Sequence, residues 1–366
     1  MPGSSIEPAG DDPLAAARQL TALESELRGL DNPVRAPALA GRIVELGRLA
    51  GAGAGEGVGD GAGGLFASRL LSRLNDLLTA RLIELGALRH RLPPVRWCWL
   101  ALGSEGRAEQ TFVTDQDNGL VFQAADQREA EALRVLFLPF ADDLNQQLAA
   151  CGFALCAGQV MAGNAAWCLS LDEWRDQFID WVRRPEPAAL LNASIFFDLR
   201  PLYGDAALAA NLRRLLLALT VDTPAFLHLM AVNALHAEVP LNFRGEVVAD
   251  AQGEIDLKKF GSRIFVDAAR IFALAAGVPA VDTDGRLATA ATLAGMPADE
   301  VVSARAAFGH VLRLRLQQQA AVAALGEPVG HGLKVAALNE MDRVILREAL
   351  RQARRLQQRL KLNYAL

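Results

Sequence analysis

Two aspartates one residue apart, Asp115 and Asp117, follow a Gly103-Ser104 pair with ten residues between. If the aspartates open a β-strand, positions i and i+2 put both side chains on one face. Two carboxylates held side by side repel unless a cation lies between them. A hard cation such as Mg²⁺ takes oxygen ligands and commonly shares them with substrate phosphates. Gly103 and Ser104 would end a preceding strand, Val95 to Leu102, where backbone N–H groups and a hydroxyl at a helix start can meet a phosphate. A phosphate site followed by a metal site is the order that nucleotidyl transfer requires. Arg107 adds a planar guanidinium suited to phosphate oxygens. The plain alternative for the two aspartates is a solvated strand end, and the upstream Gly-Ser pair weighs against it.

These residues also carry a resemblance. Gly103-Ser104 with Asp115-Gln116-Asp117 resembles the signature of the polymerase-β-type nucleotidyltransferase superfamily. The longer strings, Gly103-Ser104-Glu105-Gly106-Arg107-Ala108-Glu109-Gln110 and Thr114-Asp115-Gln116-Asp117-Asn118, resemble the narrower DUF294 family. That family is related to the protein-PII uridylyltransferase and the glutamine-synthetase adenylyltransferase. Asp256-Leu257-Lys258-Lys259-Phe260-Gly261 and Asp267-Ala268-Ala269-Arg270-Ile271-Phe272-Ala273-Leu274 resemble the C-terminal helical domain of the same family.

The resemblance implies a transferase dependent on Mg²⁺ or Mn²⁺. It would pass a nucleoside monophosphate from an NTP, UTP or ATP, to a hydroxyl and release pyrophosphate. The acceptor would be a protein, such as a PII-like regulatory protein, or a small molecule. Asp115 and Asp117 would be catalytic metal ligands. Gly103, Ser104 and Arg107 would bind the nucleotide, and Lys258 or Lys259 would reach the triphosphate as the C-terminal domain closes. The superfamily draws a third carboxylate from a later strand, and Asp198, in Asp198-Leu199-Arg200-Pro201, is the candidate.

The residues themselves leave some of these roles open. Ala193–Leu199, rich in Ile and Phe, reads as a strand with Phe196, Asp198 and Arg200 on one face. Asp198 is then either a third metal ligand or half of a buried Asp–Arg pair. Asp205 reads as a turn residue. Glu109 pairs with Arg107 or orients the loop, and Asn118 bonds the metal loop or caps the turn. Lys258 and Lys259, like Arg263 and Arg270, also read as solvated charges. None of the five histidines has the spacing of a metal site.

Composition narrows the classes. A chain of 366 residues implies two domains or three. A formal charge of −5 argues against a nucleic-acid partner. No apolar run is long enough for a transmembrane helix, and Met1 to Pro13 lacks a signal core, so a cytoplasmic protein without membrane contact is expected. The four cysteines, Cys98, Cys151, Cys156 and Cys168, form no C-x-x-C pair and read as buried free thiols. Nothing in the sequence fixes the oligomeric state.

The elements that position these groups follow from periodicity. Residues 1–12 read as disordered, with Asp12 capping a helix that carries Leu20, Leu23, Leu27 and Leu30. A second helix covers Ala38–Leu49. Gly51–Gly64 reads as a flexible glycine linker, since it has no G-K-[ST] and no strand leading into it. A leucine-rich helix runs from Leu65 to Arg89. Asn118–Gln123, Phe153–Val160 and Trp167–Ser170 read as strands, and a helix spans Gln127 to Ala150. Ser170-Leu171-Asp172-Glu173 has the form of a capping box opening a helix whose Trp174, Phe178 and Trp181 read as core. Thr223-Pro224 reads as an N-cap with proline at N1. From Asp205 onward the chain reads as helices, the last with an apolar stripe suited to core or interface.

The expected fold class is α+β: a polymerase-β-like mixed sheet with flanking helices, a C-terminal helical bundle and a helical N-terminal segment. The expected domains are residues 1–64, the helical segment and linker; 65–205, the transferase unit; and 206–366, the substrate-binding helices. Two other readings stay open. One is a catalytically silent, nucleotide-binding regulatory module that acts through a partner protein. The other is a small-molecule transferase of the aminoglycoside-modifying type, which would need an acidic acceptor pocket between domains.

Overall fold

The computed structural model describes residues 13–53, 61–327 and 329–366. Asp12 and the proposed disorder of residues 1–12 lie outside this range. Helix α1 (Pro13–Arg28) and helix α2 (Ala36–Gly53) bury Leu23, Leu27, Leu39 and Ile43 against helix α3 (Ala62–His90). In α3, Leu71, Leu74, Leu78 and Leu82 recur every three to four residues, and all four are buried, as an amphipathic helix requires.

Strand β1 (Trp97–Ala101) follows, then the four-residue helix α4 (Gly103–Gly106) and strand β2 (Asn118–Phe122). Helix α5 (Gln127–Ala150) is capped by Asp126, whose side chain accepts from the Glu129 amide. Strand β3 (Cys168–Ser170) leads into helix α6 (Leu171–Arg183), where Ser170 and Glu173 close both halves of the capping box. Helix α7 (Pro187–Phe196) and strand β4 (Arg200–Gly204) complete the α/β unit.

The sheet order is β3-β2-β1-β4. β1 runs antiparallel to β2 and β4, and β3 runs parallel to β2, so the sheet is mixed. Its two faces feed two cores, because strand side chains alternate. Trp99, Leu120 and Phe122 pack with α3 and α5, whereas Cys98, Leu100 and Val121 pack with α6, α7 and the helix that follows β4. Trp174, Phe178 and Trp181 lie in that second core.

Helices α8 (Ala206–Val221), α9 (Pro224–Ala234), α10 (Arg263–Ala275), α11 (Thr283–Ala290), α12 (Ala298–Ala324) and α13 (Glu340–Tyr364) extend it without a break. Of the apolar stripe expected on the last helix, Ala349, Ala353, Leu356 and Leu360 are core, whereas Met341 is exposed. Strands β5 (Glu254–Asp256) and β6 (Gly332–Lys334) form a small antiparallel pair beside a π-helical turn, Lys258–Ser262. The class is therefore α+β, with helical parts on both sides of a small mixed sheet.

Four expectations are corrected. Ala193–Leu199 is not a strand: Pro187 sits at N1 and starts α7, and an apolar run this short fits a buried helix end as well as a strand. The strand begins at Arg200 instead, and its Pro201 is tolerated because β4 is an edge. Phe153–Val160 supplies only one isolated bridge, Asp115 to Ala154, because turns at Gly152 and Gly158 keep the segment short. Thr223 precedes α9, yet its side chain makes no cap bond.

The glycine tract is the fourth. Residues 54–60 lie outside the description, but its two ends are helical, in α2 and α3. Gly61 and Gly64 press against α12: a Cβ on Gly61 would lie 2.3 Å from the Ala306 carbonyl oxygen, and one on Gly64 would lie 2.2 Å from that of Gly309. Glycine here permits two helix backbones to touch.

Among the described residues, no single helix is long and apolar enough to cross a membrane. α8 and α9 satisfy that test only together, across a 93° bend. Leu212, Leu216, Phe226 and Ala231 of that pair are buried in the protein core.

Candidate nucleotide and metal site

β1 and β2 are neighbours, and the loop between them folds back on itself. The Leu102 amide donates to the Asp117 carbonyl oxygen at 2.9 Å, which joins the end of the first motif to the second. Gly103 has φ +53°, and a Cβ there would lie 2.5 Å from Oδ2 of Asp117. The glycine thus supplies both a left-handed turn and the space that the carboxylate fills.

The segment Asp115-Gln116-Asp117-Asn118 alternates as an extended chain should. Gln116 and Asn118 are buried, and Asn145 of α5 donates to both, at 2.8 and 3.1 Å. Gln116 Nε2 also donates to the carbonyl oxygens of Asn145 and Phe153, each at 3.0 Å. The Ala162 amide donates to Asn118 Oδ1 at 2.8 Å. These bonds pin the inward residues and leave Asp115 and Asp117 facing a cavity of about 320 Å³. Asn118 accordingly anchors the loop that carries Asp115 and Asp117.

Gly103, Ser104 and Arg107 line the same cavity, together with Lys258, Lys259, Arg263, Asp267, Arg270 and Arg315 from the C-terminal helices. The π-helical turn beginning at Lys258 is a backbone irregularity of a kind frequent at functional sites. Lys258 Nζ lies 3.5 Å from Asp115 Oδ1. Burial, and then the neighbouring Asp115, raise Asp117 to about 6. A carboxylate pair with this mutual repulsion fits a hard cation, and Asp115 and Asp117 are the residues that could hold it.

Asp198 stands elsewhere. It is 0% exposed, and its two oxygens accept from Arg107, Arg270 and Arg286 at 2.6–3.0 Å. These arginines hold its carboxyl far below the usual carboxylate range despite its burial. The expectation of a third metal ligand is corrected on this point, since no lone pair of Asp198 is left facing the aspartate pair. Nor is its partner Arg200, which forms a two-point ion pair with Asp76 of α3, at 2.9 Å on each side, and donates to the Glu105 and Gly106 carbonyl oxygens. Among the described residues, no group of three His, Cys, Asp or Glu is placed to hold one metal ion.

Other candidates resolve individually. Glu109 accepts from Arg107 at 2.8 Å and from the Thr283 amide at 2.6 Å, so it ties the loop to α11. Asp205 caps α8 and pairs with Arg96. The Lys259 amide donates to Asp256. All four cysteines are free thiols; burial raises Cys98 and Cys168 to about 12. Glu105, next to Ser104, is also buried, and burial followed by the charge of Asp76 raises it to about 8.

Sequence reasoning passed over Arg286 and Arg315. Each sits on a helix at a spacing that a solvated face would share, so only their burial gives them away.

A Gly-Ser turn that follows one strand and a carboxylate pair that precedes its neighbour, facing one cavity with helices on its other side, are the features of a nucleotidyltransferase. Comparison with protein families gives the same class. Residues 54–188 match the family described as putative nucleotidyltransferase DUF294, and residues 224–364 match its companion, the putative nucleotidyltransferase substrate binding domain. The chain belongs to the DUF294 family. No curated protein matches it.

Proposed function

We propose that this protein transfers a nucleoside monophosphate from an NTP to a hydroxyl group, using Asp115 and Asp117 as its metal ligands. The observation that carries this reading is the meeting of Gly103, Ser104, Asp115 and Asp117 on one cavity wall with Lys258 opposite. Mg²⁺ or Mn²⁺ bound by the two aspartates would offset the charge that grows on the phosphate oxygens.

The remaining work falls to the chain. Gly103 lets the backbone approach the triphosphate, and the Ser104 hydroxyl and Arg107 offer donors to its oxygens. Lys258 exchanges Asp115 for a phosphate oxygen as the nucleotide enters. The acceptor oxygen attacks the α-phosphorus. A new phosphoester bond forms, the bond to the bridging oxygen of pyrophosphate breaks, and the hydroxyl proton passes to solvent.

A regulatory protein of the PII type is the acceptor that the family relationship suggests, with UTP or ATP as donor. An acceptor of the aminoglycoside type fits less well, because the cavity lining mixes arginines and lysines with its acids. The locked state of Asp198 favours one alternative, a nucleotide-binding module that signals through a partner and turns nothing over.

The test is pyrophosphate release from each of the four NTPs with Mg²⁺ or Mn²⁺, in lysate freed of small molecules. Wild type is compared with Asp115→Asn/Asp117→Asn. Release that needs the aspartates supports the transferase, and labelled NTP then identifies the acceptor. Nucleotide binding without release supports the silent module.

A further inference from the structure

Arg107, Arg270 and Arg315 line the cavity beside the Gly-Ser turn. Arg107 comes from the β1–β2 loop, Arg270 from α10 and Arg315 from α12, so three separate segments converge. We propose that these guanidiniums form the wall that takes the β- and γ-phosphates of the donor and then the leaving pyrophosphate, and that Asp198 is the positioning residue of this wall. The proposal rests on the reading of the cavity as a nucleotide site.

Asp198 aims the first two. Its Oδ2 accepts from Arg107 Nη1 and from Arg270 Nη2, each at 2.6 Å. Its Oδ1 accepts from Arg270 Nε at 3.0 Å and from Arg286 Nη1 at 2.6 Å. Arg286 is itself 0% exposed and lies off the cavity, so it braces the carboxylate from behind. A guanidinium carries five N–H donors. Arg270 spends donors on Asp198 and Asp267, and Arg107 on Asp198 and Glu109, which leaves further N–H groups on both for a ligand. Fixing a fork by its inner edge while its outer edge faces a cavity is how an anion site is preorganised.

Arg315 is the independent observation. It is 8% exposed and lines the cavity, Nη1 donates to Ser262 Oγ at 3.1 Å, and its buried Nε has no partner. The single bond to Ser262 leaves other N–H groups of this cavity-lining cation for a phosphate oxygen. Arg107, Arg213, Arg270, Arg286 and Arg315 gather around Asp198, Asp267 and Glu109 on this side of the cavity. Burial, with Arg286 near Arg213 and Arg107 near Arg315, holds those two arginines down to about 10.

The experiment titrates inorganic pyrophosphate into the full chain in Mg²⁺ by calorimetry, and Mn²⁺ into the nucleotide-free chain by electron paramagnetic resonance. Arg315→Met and Arg270→Lys should each weaken pyrophosphate binding by about tenfold or more, the size expected for a charge-assisted hydrogen bond. Mn²⁺ binding should not weaken in either variant, and for Arg315→Met the melting temperature should stay at its wild-type value. Asp198→Asn should weaken pyrophosphate binding and leave Mn²⁺ binding intact.

Loss of Mn²⁺ binding in folded Asp198→Asn would make it a metal ligand and overturn the assignment. Unchanged pyrophosphate affinity in Arg315→Met and Arg270→Lys would also overturn it, and these variants decide the matter if Asp198→Asn does not fold. Wild-type protein that binds no pyrophosphate would overturn it too. Transfer that depends on Asp115 and Asp117 is measured separately, so the two readings fail separately.

Discussion

The Asp117 carboxylate lies directly over the α-carbon of Gly103: a Cβ at that position would sit 2.5 Å from Oδ2. The two halves of the sequence motif are therefore one packed unit. Gly103→Ala should strain a left-handed residue, at about 1–2 kcal/mol, and push Asp117 aside. A displacement of this kind next to reacting groups lowers transfer by up to about a hundredfold. Steady-state pyrophosphate release, with a melting curve to show that the variant folds, checks it. Unimpaired release would separate Gly103 from the site.

Glu105 gives a pH dependence of stability. Burial raises its carboxyl from the ordinary range to about 8, so the folded protein keeps a proton that the unfolded chain releases above the ordinary carboxylate pKa. Between about pH 5 and pH 8 the folded state binds more protons, and this group makes stability fall as pH rises. Glu105→Gln should remove that slope and raise the melting temperature at pH 8 by a few degrees. Parallel melts of both proteins at pH 5.5 and pH 8 test this; parallel slopes would contradict it.

Lys258 and Asp115 form a half-exposed ion pair at 3.5 Å, and a metal ion at Asp115 must contend with the ammonium. Lys258→Met should tighten Mn²⁺ binding in the absence of nucleotide by roughly threefold to tenfold, as expected for removing one charge a few ångströms away in water. The same change should raise KM for NTP, because the lysine is lost to the triphosphate. Equal Mn²⁺ affinities would show that the pair does not compete with metal.

The crossing of α3 on α12 is sensitive to volume. Gly64→Val should cost about 2–3 kcal/mol or more, since the added carbon meets the Gly309 carbonyl oxygen at 2.2 Å and neither backbone can yield. Gly41→Ala in α2 is the contrasting change. Nothing lies within 4 Å of its added carbon, and the gain in helix propensity should stabilise the protein by about 0.5–1 kcal/mol. Denaturant melts of the two variants should move in opposite directions.

Much of the molecule was legible from the chain. Gly103, Ser104, Asp115 and Asp117 announce themselves because the proposed phosphate and metal would demand small, polar or acidic groups at set positions along one strand–turn–strand unit. The last helix, α13, announces itself through a period of three to four, which a helix with one buried face must show. The capping box at Ser170 is equally local, because both of its hydrogen bonds close within four residues.

What the chain left open depends on partners far away in sequence. Asp198 looks alike whether a metal or three arginines await it; Arg270 and Arg286, 72 and 88 residues further on, make the difference. Arg315 has the spacing of a solvated helix residue and is buried only because α12 packs behind the cavity. The glycines that read as a linker serve, at Gly61 and Gly64, to let α3 touch α12 across more than 240 positions of chain. Local residue types set the chemistry and the helices. Long-range packing decided which charges meet, because burial and pairing belong to neighbours in space rather than in sequence.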